Sequence, residues 1–502
     1  MSQQIQKHPA HAVPPGMVRV VRQPGPRPLF ERAESAVPGG AKLAALVVAV
    51  VGTVVVPVDR PGIGWVLALL VAVAVLLACA RLSGTRRGTP RQWRQAAWAL
   101  LAIALLAVGA WRAAEWLFVL CVLAAAVAAS LAVVGKRTVH GTTYDVLAVP
   151  LEAFRAVPWL FRRTPRTGQR QGRVLGAVLL SGLVLVVFLP LLVSADPRFA
   201  EFVSDLVPEV RPGSAVQSAL VFAVGFAAMA AVFLIAAEPL PERENRTTTV
   251  GDRLSWTSLL GTLWVLFAAY VGVQAAALFG GTDYVLRTDG LTSADYARGG
   301  FWQLCACTAL TLAILAAALR WAPKATRADR TVLRVLLGAL TVLSLVVVLS
   351  ALSRMWTYQQ AYGFTVPRLL VEVCESWLGV VFVLVGATLG TLRASWLPRA
   401  AIATAALALL GLAAANPEAA IAAANLDRAA RGKPLDVRYL SRFSADVAPV
   451  VARHRPDAAC LLRPLAGSLA DDAWPAWNLS RARAREIVRS QVPCADRASV
   501  PG

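Results

Sequence analysis

The sequence predicts an all-α fold: a polytopic integral membrane helical bundle of about eleven transmembrane helices with a small helical C-terminal tail domain. Three observations predict it. The 502 residues are 57% hydrophobic, with a mean hydropathy of +0.60 that soluble domains seldom reach. The apolar residues fall in runs close to the ~20 residues a helix needs to cross ~30 Å of hydrocarbon. The net charge of +21 is gathered in short segments between those runs. Such clustering is the mark of the positive-inside rule, which makes membrane lipids the expected partner. Nucleic acid is not expected, because no recognition module is present.

Residues 1–40 are basic and rich in Pro and Gly, and are predicted to be a disordered cytoplasmic tail. No small-residue cleavage site follows the first apolar run, so no cleavable signal peptide is expected. Residues 41–134 hold four spans, at 41–57, 62–80, 95–110 and 116–134, the first two joined by a tight turn at Val58–Pro61. Residues 135–173 form the longest inner connection. There Leu147, Leu151, Phe154 and Trp159 alternate with Arg155, Arg162 and Arg163. That mixture fits a broken amphipathic segment on the inner leaflet, or a linker with snorkelling arginines. Residues 174–415 hold seven more spans, at 174–194, 215–237, 256–279, 301–319, 332–352, 366–390 and 399–415. Spans 1, 3 and 11 are short enough for one to be re-entrant.

With the N-terminus inside, the inner segments hold 29 Lys and Arg residues and the outer loops hold 7. This bias predicts a multi-pass protein of the cell (cytoplasmic) membrane, with a cytoplasmic N-terminus and an extracytoplasmic tail at 416–502.

After span 5, Asp196 and Pro197 read as an N-cap and a first helical residue. Phe199, Phe202 and Leu206 then line one face of a short surface helix, with Glu201, Asp205 and Glu209 as a solvated face opposite. Before span 8, Thr292–Asp295 suits an N-cap, which puts Tyr296 and Arg298 at the outer rim. In the tail, Asn416-Pro417-Glu418 starts a helix that should stop at Gly432. A second helix is predicted over Asp436–His454 and a third within Ser480–Gln491. The tail forms either a separate outer cap or a layer packed on the bundle mouth.

Of seven cysteines, Cys79, Cys121, Cys305, Cys307 and Cys374 lie in spans. Cys460 and Cys494 are alone in the tail, in a compartment that permits disulfides, and are predicted to pair. The sequence offers no metal site, since its four histidines are scattered. No cofactor is expected, and no HExxH, GxSxG or Walker loop is present. An enzyme is therefore the less favoured reading.

The stretch with most chemistry is Arg354–Trp377. Arg368, Glu372 and Glu375 stand at i, i+4 and i+7, on one face of span 10. Ionisable residues at such depth usually face a bundle interior or a wet cavity. Glu372 can pair with Arg368 or with Arg354 of span 9. Tyr270, Gln274 and Gln303 of spans 7 and 8 could hydrogen-bond Glu375, and Tyr362 and Gly363 mark the cavity mouth. Glu375 is either a proton- or ligand-linked group or a structural carboxyl between packed helices.

Several local patterns recur in a known family. They are Ser194-Ala195-Asp196-Pro197 with Phe199, Tyr296-Ala297-Arg298 with Gly300-Phe301, and Ala361-Tyr362-Gly363 with Thr365 and Arg368. Further along come Asn416-Pro417 with Asn425, Leu435-Asp436, Tyr439-Leu440, Ser444-Ala445-Asp446 and Trp477-Asn478-Leu479-Ser480-Arg481. On these motifs residues 170–490 resemble the bacterial polytopic membrane proteins grouped as domain of unknown function 4153, with its relative 4173. The resemblance implies a multi-span membrane protein and brings no activity; Glu372 and Glu375 lie outside its motifs. Two function classes follow. One is a transporter or lipid-handling protein with a polar outward-facing cavity around spans 7–10. The other is a non-enzymatic envelope scaffold or sensor that binds a partner through its outer loops and tail. The sequence assigns no protein partner and no oligomeric state.

Overall fold

The structure is a computed structural model and describes residues 37–38, 40–82, 90–135, 141–161, 212–238, 249–279, 301–454, 469 and 472–490. Every regular element among them is helical. Span 5, Asp196, Pro197, Tyr296, Arg298, Cys460 and Cys494 lie outside the described residues.

Among the described residues, two short apolar helices come first, α1 (Ala41–Val55) and α2 (Gly64–Leu82). Eight further helices are long and apolar enough to cross a membrane: α3 (Pro90–Trp111), α4 (Glu115–Val134), α6 (Pro212–Ala237), α7 (Arg253–Phe279), α8 (Phe301–Trp321), α9 (Arg327–Tyr362), α10 (Val366–Thr388) and α11 (Leu397–Ala415). Large apolar side chains such as Leu100, Leu123, Val265, Val342, Leu349 and Val383 are exposed on them. So much bare apolar surface suits lipid and not water.

Packing follows small residues, as expected where lipid removes the hydrophobic drive between helices. Ala41, Ala45, Ala49 and Gly52 let α1 lie against α6, where Gly225 faces the Ala49 backbone. Gly379 and Gly386, one heptad apart, seat α10 against Val348 and Thr341 of α9. α3 and α4 form a hairpin, and α11 joins them to α10. A second group contains α7, α8, α9 and α10.

Among the described residues, the basic stretch after α4 contains a helix, α5 (Thr142–Leu160), with Pro150 and Pro158 inside it. Its buried Trp159 packs on Ala41, Ala44 and Ala45. Asp145 pairs with Arg399 at the start of α11 at 3.3 Å, and Glu152 pairs with Arg155 at 2.7 Å and bonds Tyr144. Leu147, Leu151 and Phe154 stay exposed on the opposite face.

The tail contains α12 (Pro417–Ala430), α13 (Val437–Leu440), a 3-10 turn at Ala445–Val447, α14 (Ala448–His454), a second turn at Trp474–Ala476 and α15 (Leu479–Ser490). The single helix expected over Asp436–His454 is broken. Ser444, in extended conformation, caps the turn through Asp446 N. This local side-chain bond competes with helix continuation. The tail core of Ile421, Leu426, Phe443, Val447 and Val451 takes in Ala113, Phe364 and Leu369 from the bundle, so the tail packs on one end of it.

Candidate functional site

α10 begins behind Thr365 with Pro367 in its first turn. Its three ionisable residues find separate partners. Arg368 reaches back to the end of α9. It donates to the Gly363 and Tyr362 carbonyls and lies over the Tyr358 ring at 4.5 Å. Carbonyls at a helix C-terminus hold the negative end of its dipole, so they compete for the guanidinium. Glu372 accepts instead from Gln359 Nε2 of α9 at 3.0 Å, so Arg368, one of its two possible partners, is engaged by the α9 carbonyls. Glu375 is 1% exposed and bonds Thr308 Oγ1 of α8 at 3.0 Å, with the Cys305 thiol also hydrogen-bonded to it.

A groove of about 410 Å³ runs between α10 and α11. Leu369, Glu372, Val373, Ser376, Trp377 and Val380 line one wall, and Thr404 and Ala408 the other. Trp377 Nε1 donates to Ala401 O at 3.2 Å and Thr404 Oγ1 at 3.3 Å, bridging the two helices. At 1.5 Å per residue the α10 wall from Leu369 to Val380 is roughly 16 Å long, about half a bilayer's hydrocarbon. Leu369 also touches the tail core, so the tail roofs this end of the groove.

Of the other residues predicted to surround a cavity, Arg354 is half-buried in α9, and Tyr270 is half-buried among Phe267, Leu304 and Met355. Gln303 is exposed on α8; Gln274 belongs to α7, with its side chain outside the described set. Tyr362 is exposed with its ring 4.9 Å from that of Tyr358. Gly363 ends α9 at φ 90°, a conformation that favours glycine.

The tail's grip on the bundle is built almost wholly from helix ends. Asp446 Oδ2 accepts from Ala113 N and Ala114 N, each at 3.0 Å, at the start of α4. Tyr439 Oη accepts from Val366 N at the start of α10 at 2.8 Å. Arg428 donates to the Gln360 and Ala361 carbonyls at the end of α9; within the bundle itself, Arg112 does the same for those of Ala413 and Ala414 at the end of α11. Asn478 donates to Gly109 O and Arg112 O around the end of α3, both at 2.8 Å. Asn425 bonds both backbone groups of Phe364. Helix ends leave donors and acceptors that the helix itself cannot satisfy, and here side chains distant in sequence satisfy them. Desolvation draws the Arg428 and Arg481 guanidiniums below their ordinary pKa and pushes the Tyr439 phenol up. Arg481, with Arg60 and Arg485, surrounds the buried Asp472 and also donates to Pro61 O in the α1–α2 loop at 2.7 Å. At Gly62 an added Cβ would lie 2.5 Å from Pro475 O, so only glycine admits the tail there.

A family model described as "Domain of unknown function (DUF4153)" matches residues 100–454, more than half of the chain. The chain belongs to this family. The match starts earlier and ends sooner than the span carried by the sequence motifs, taking in α4 and α5 and stopping at the end of α14. No curated protein and no solved structure matches the chain.

Within the DUF4153 match, Gly363, Asn425, Tyr439, Ser444 and Asp446 all belong to the tail's attachment, on both sides of it. Asn478 and Arg481 extend the same attachment beyond the matched residues. The sequence marked these residues as motifs without their partners. The signal for their role was that loop motifs and tail motifs are both rich in small or capping residues. Arg112, Glu418, Arg428 and Asp472 gave no such signal.

Proposed function

We propose that this DUF4153 protein is a multi-pass cell-membrane protein that holds a membrane amphiphile with an amine headgroup in the groove between α10 and α11. The observation that carries the reading is Glu372. It lines an otherwise apolar and hydroxyl-bearing groove, Gln359 engages one carboxylate oxygen, and the other is left for a ligand. A carboxylate at membrane depth requires a partner, and an ammonium group complements it. Ser376 and Thr404 add hydroxyls, while Val373, Val380 and Ala408 suit an acyl chain. The polar set around Glu372 and Glu375 is the site in this reading, with eleven spans, a cytoplasmic N-terminus and an extracytoplasmic tail.

The test uses protein in nanodiscs of phosphatidylethanolamine or phosphatidylglycerol, with a photo-crosslinking residue replacing Ala408. Lipid adducts severalfold more abundant with phosphatidylethanolamine, and a loss of that preference in Glu372→Gln, are expected. Equal adducts from both lipids, or no change in the variant, would overturn the reading.

The scaffold or sensor reading draws on the tail. It bridges several hairpin ends into one surface, on which Trp474, Trp477 and Val437 are exposed. A chain that retained neither lipid preference nor adducts, but lost a specific crosslinked protein on Trp474→Ala, would favour it.

A further inference from the structure

The tail's attachment contains two buried carboxyls with one hydroxyl between them. Glu418, in the first turn of α12, is 4% exposed, and Asp446 is 1% exposed. Ser444 Oγ lies 2.6 Å from Glu418 Oε2 and 3.2 Å from Asp446 Oδ2, and it also accepts from Asp446 N. A serine has one hydroxyl proton, so it donates to only one of the two carboxyls at a time. If both were ionised, the other oxygen–oxygen contact would have no proton in it. With one proton added to Glu418, every contact is completed. Glu418 donates to Ser444 Oγ, and Ser444 donates to Asp446 Oδ2. The carbonyl oxygen of Glu418 still accepts from Trp116 Nε1 at 2.9 Å, and Oε2 still accepts from Ser444 N at 2.7 Å.

We infer that Glu418 and Asp446 share one proton through Ser444, and that this proton locks the tail onto the start of α4. Ala113 N and Ala114 N both donate to Asp446 Oδ2 from a helix N-terminus, so the proton is placed on Glu418, whose Oε2 faces Ser444 Oγ. The charged and titratable groups around the pair are few. Arg112, from the α3–α4 corner, acts on Asp446, and Tyr439 of α13 acts on Glu418; Trp116 of α4 faces Glu418 as a neutral donor.

Burial is the largest influence on Glu418 and raises its pKa; the Ser444 and Trp116 hydrogen bonds lower it, and Asp446 raises it again. A raised pKa in the docked state gives a definite sign. The contribution of the proton to docking is full below the ordinary glutamate range, and it is lost as pH rises through the raised value. Within that window each pH unit changes the docking equilibrium by about tenfold. The inference stands apart from the groove, since it concerns only the tail and α4.

The experiment is hydrogen exchange on the full-length protein in nanodiscs from pH 4.5 to 8.5. Protection factors, which divide out the intrinsic pH dependence, are followed for peptides covering 445–454 and the first turn of α4. Protection in both is expected to fall about tenfold per pH unit through one window and then level off, while α9 amides stay constant. Asp446→Asn keeps an oxygen for the α4 amides but removes the like charge, so its window moves to lower pH. Ser444→Ala removes a hydrogen bond that lowers the Glu418 pKa, so its window moves to higher pH. A constant protection factor in the native sequence would overturn the inference, and so would an unshifted window in Asp446→Asn.

Discussion

Gly363 shows how much one residue can decide. It closes α9 at φ 90°, and a Cβ there would lie 2.9 Å from Arg428 Nη1 and 3.0 Å from Asn425 Oδ1. Gly363→Ala should cost about 1–3 kcal/mol through backbone strain and disturbed capping. Gly432, at φ 80°, has nothing within 4 Å of its added Cβ, so Gly432→Ala carries the strain alone. Thermal unfolding in nanodiscs should therefore rank Gly363→Ala as the more damaging of the two; equal losses would show that the contacts are immaterial. Glu375 invites a similar comparison. Thr308 Oγ1 lies 2.8 Å from Leu304 O and 3.0 Å from Glu375 Oε1, and its single proton serves one of them. The set is complete when Glu375 supplies a proton, a role that a glutamine amide can fill. Glu375→Gln should stay within ~1 kcal/mol of the native stability, while Glu375→Ala should lose ~2–4 kcal/mol to the vacated space. A Glu375→Gln variant that is stable but has lost lipid preference would assign the carboxyl to function.

At the scale of elements, the unusual feature is capping in trans. α9 starts conventionally, with Thr326 and Asp329 forming a reciprocal capping box. α4 has no side-chain cap of its own at Ala114 and uses Asp446, more than three hundred residues later. Asp446→Ala should cost about 1–2 kcal/mol, the usual range for a lost N-cap. Hydrogen exchange in the first turn of α4 should speed up more than at its centre; uniform acceleration would point to general unfolding instead. This is also where the sequence ran out. Asn416 was readable as a cap because its partner, Ala419 N, is three residues away. Glu418 was readable only as an acid near a helix start, because its acceptor role depends on Trp116 and Ser444. The helical spacing of Val437, Leu440, Phe443, Val447 and Val451 suggested one helix. Leu440, Phe443, Val447 and Val451 lie in the tail core while Val437 is exposed, and local bonds at Ser444 separate α13 from the turn and α14.

For the whole molecule, hydropathy made the membrane class legible, since lipid imposes length and composition on every span directly. Residue pairing was not legible, because Arg368 chose the α9 carbonyls over Glu372 and α10 alone gives no hint of them. Orientation rests on the 29 to 7 distribution of Lys and Arg. It predicts that a cysteine at Arg438, in the tail, reacts with a membrane-impermeant maleimide on intact spheroplasts, whereas one at Arg393, beyond the end of α10, reacts only after lysis. The opposite pattern would invert the topology. Both positions are exposed, so accessibility depends on the side of the membrane.

The bond from Arg481 to Pro61 O joins positions 420 residues apart. During synthesis, the membrane helices up to α11 would enter the bilayer well before the chain that completes their ends has left the ribosome. For that interval the corners at Gly109, Ala113 and Gly363 hold bare donors and acceptors, which water or a chaperone must cover. A nascent chain stalled before α12 would be an inserted but unfinished bundle, with loose corners open to membrane proteases. The tail would then act as a checkpoint on the whole, so that chains truncated in the tail are cleared even though every membrane helix is intact.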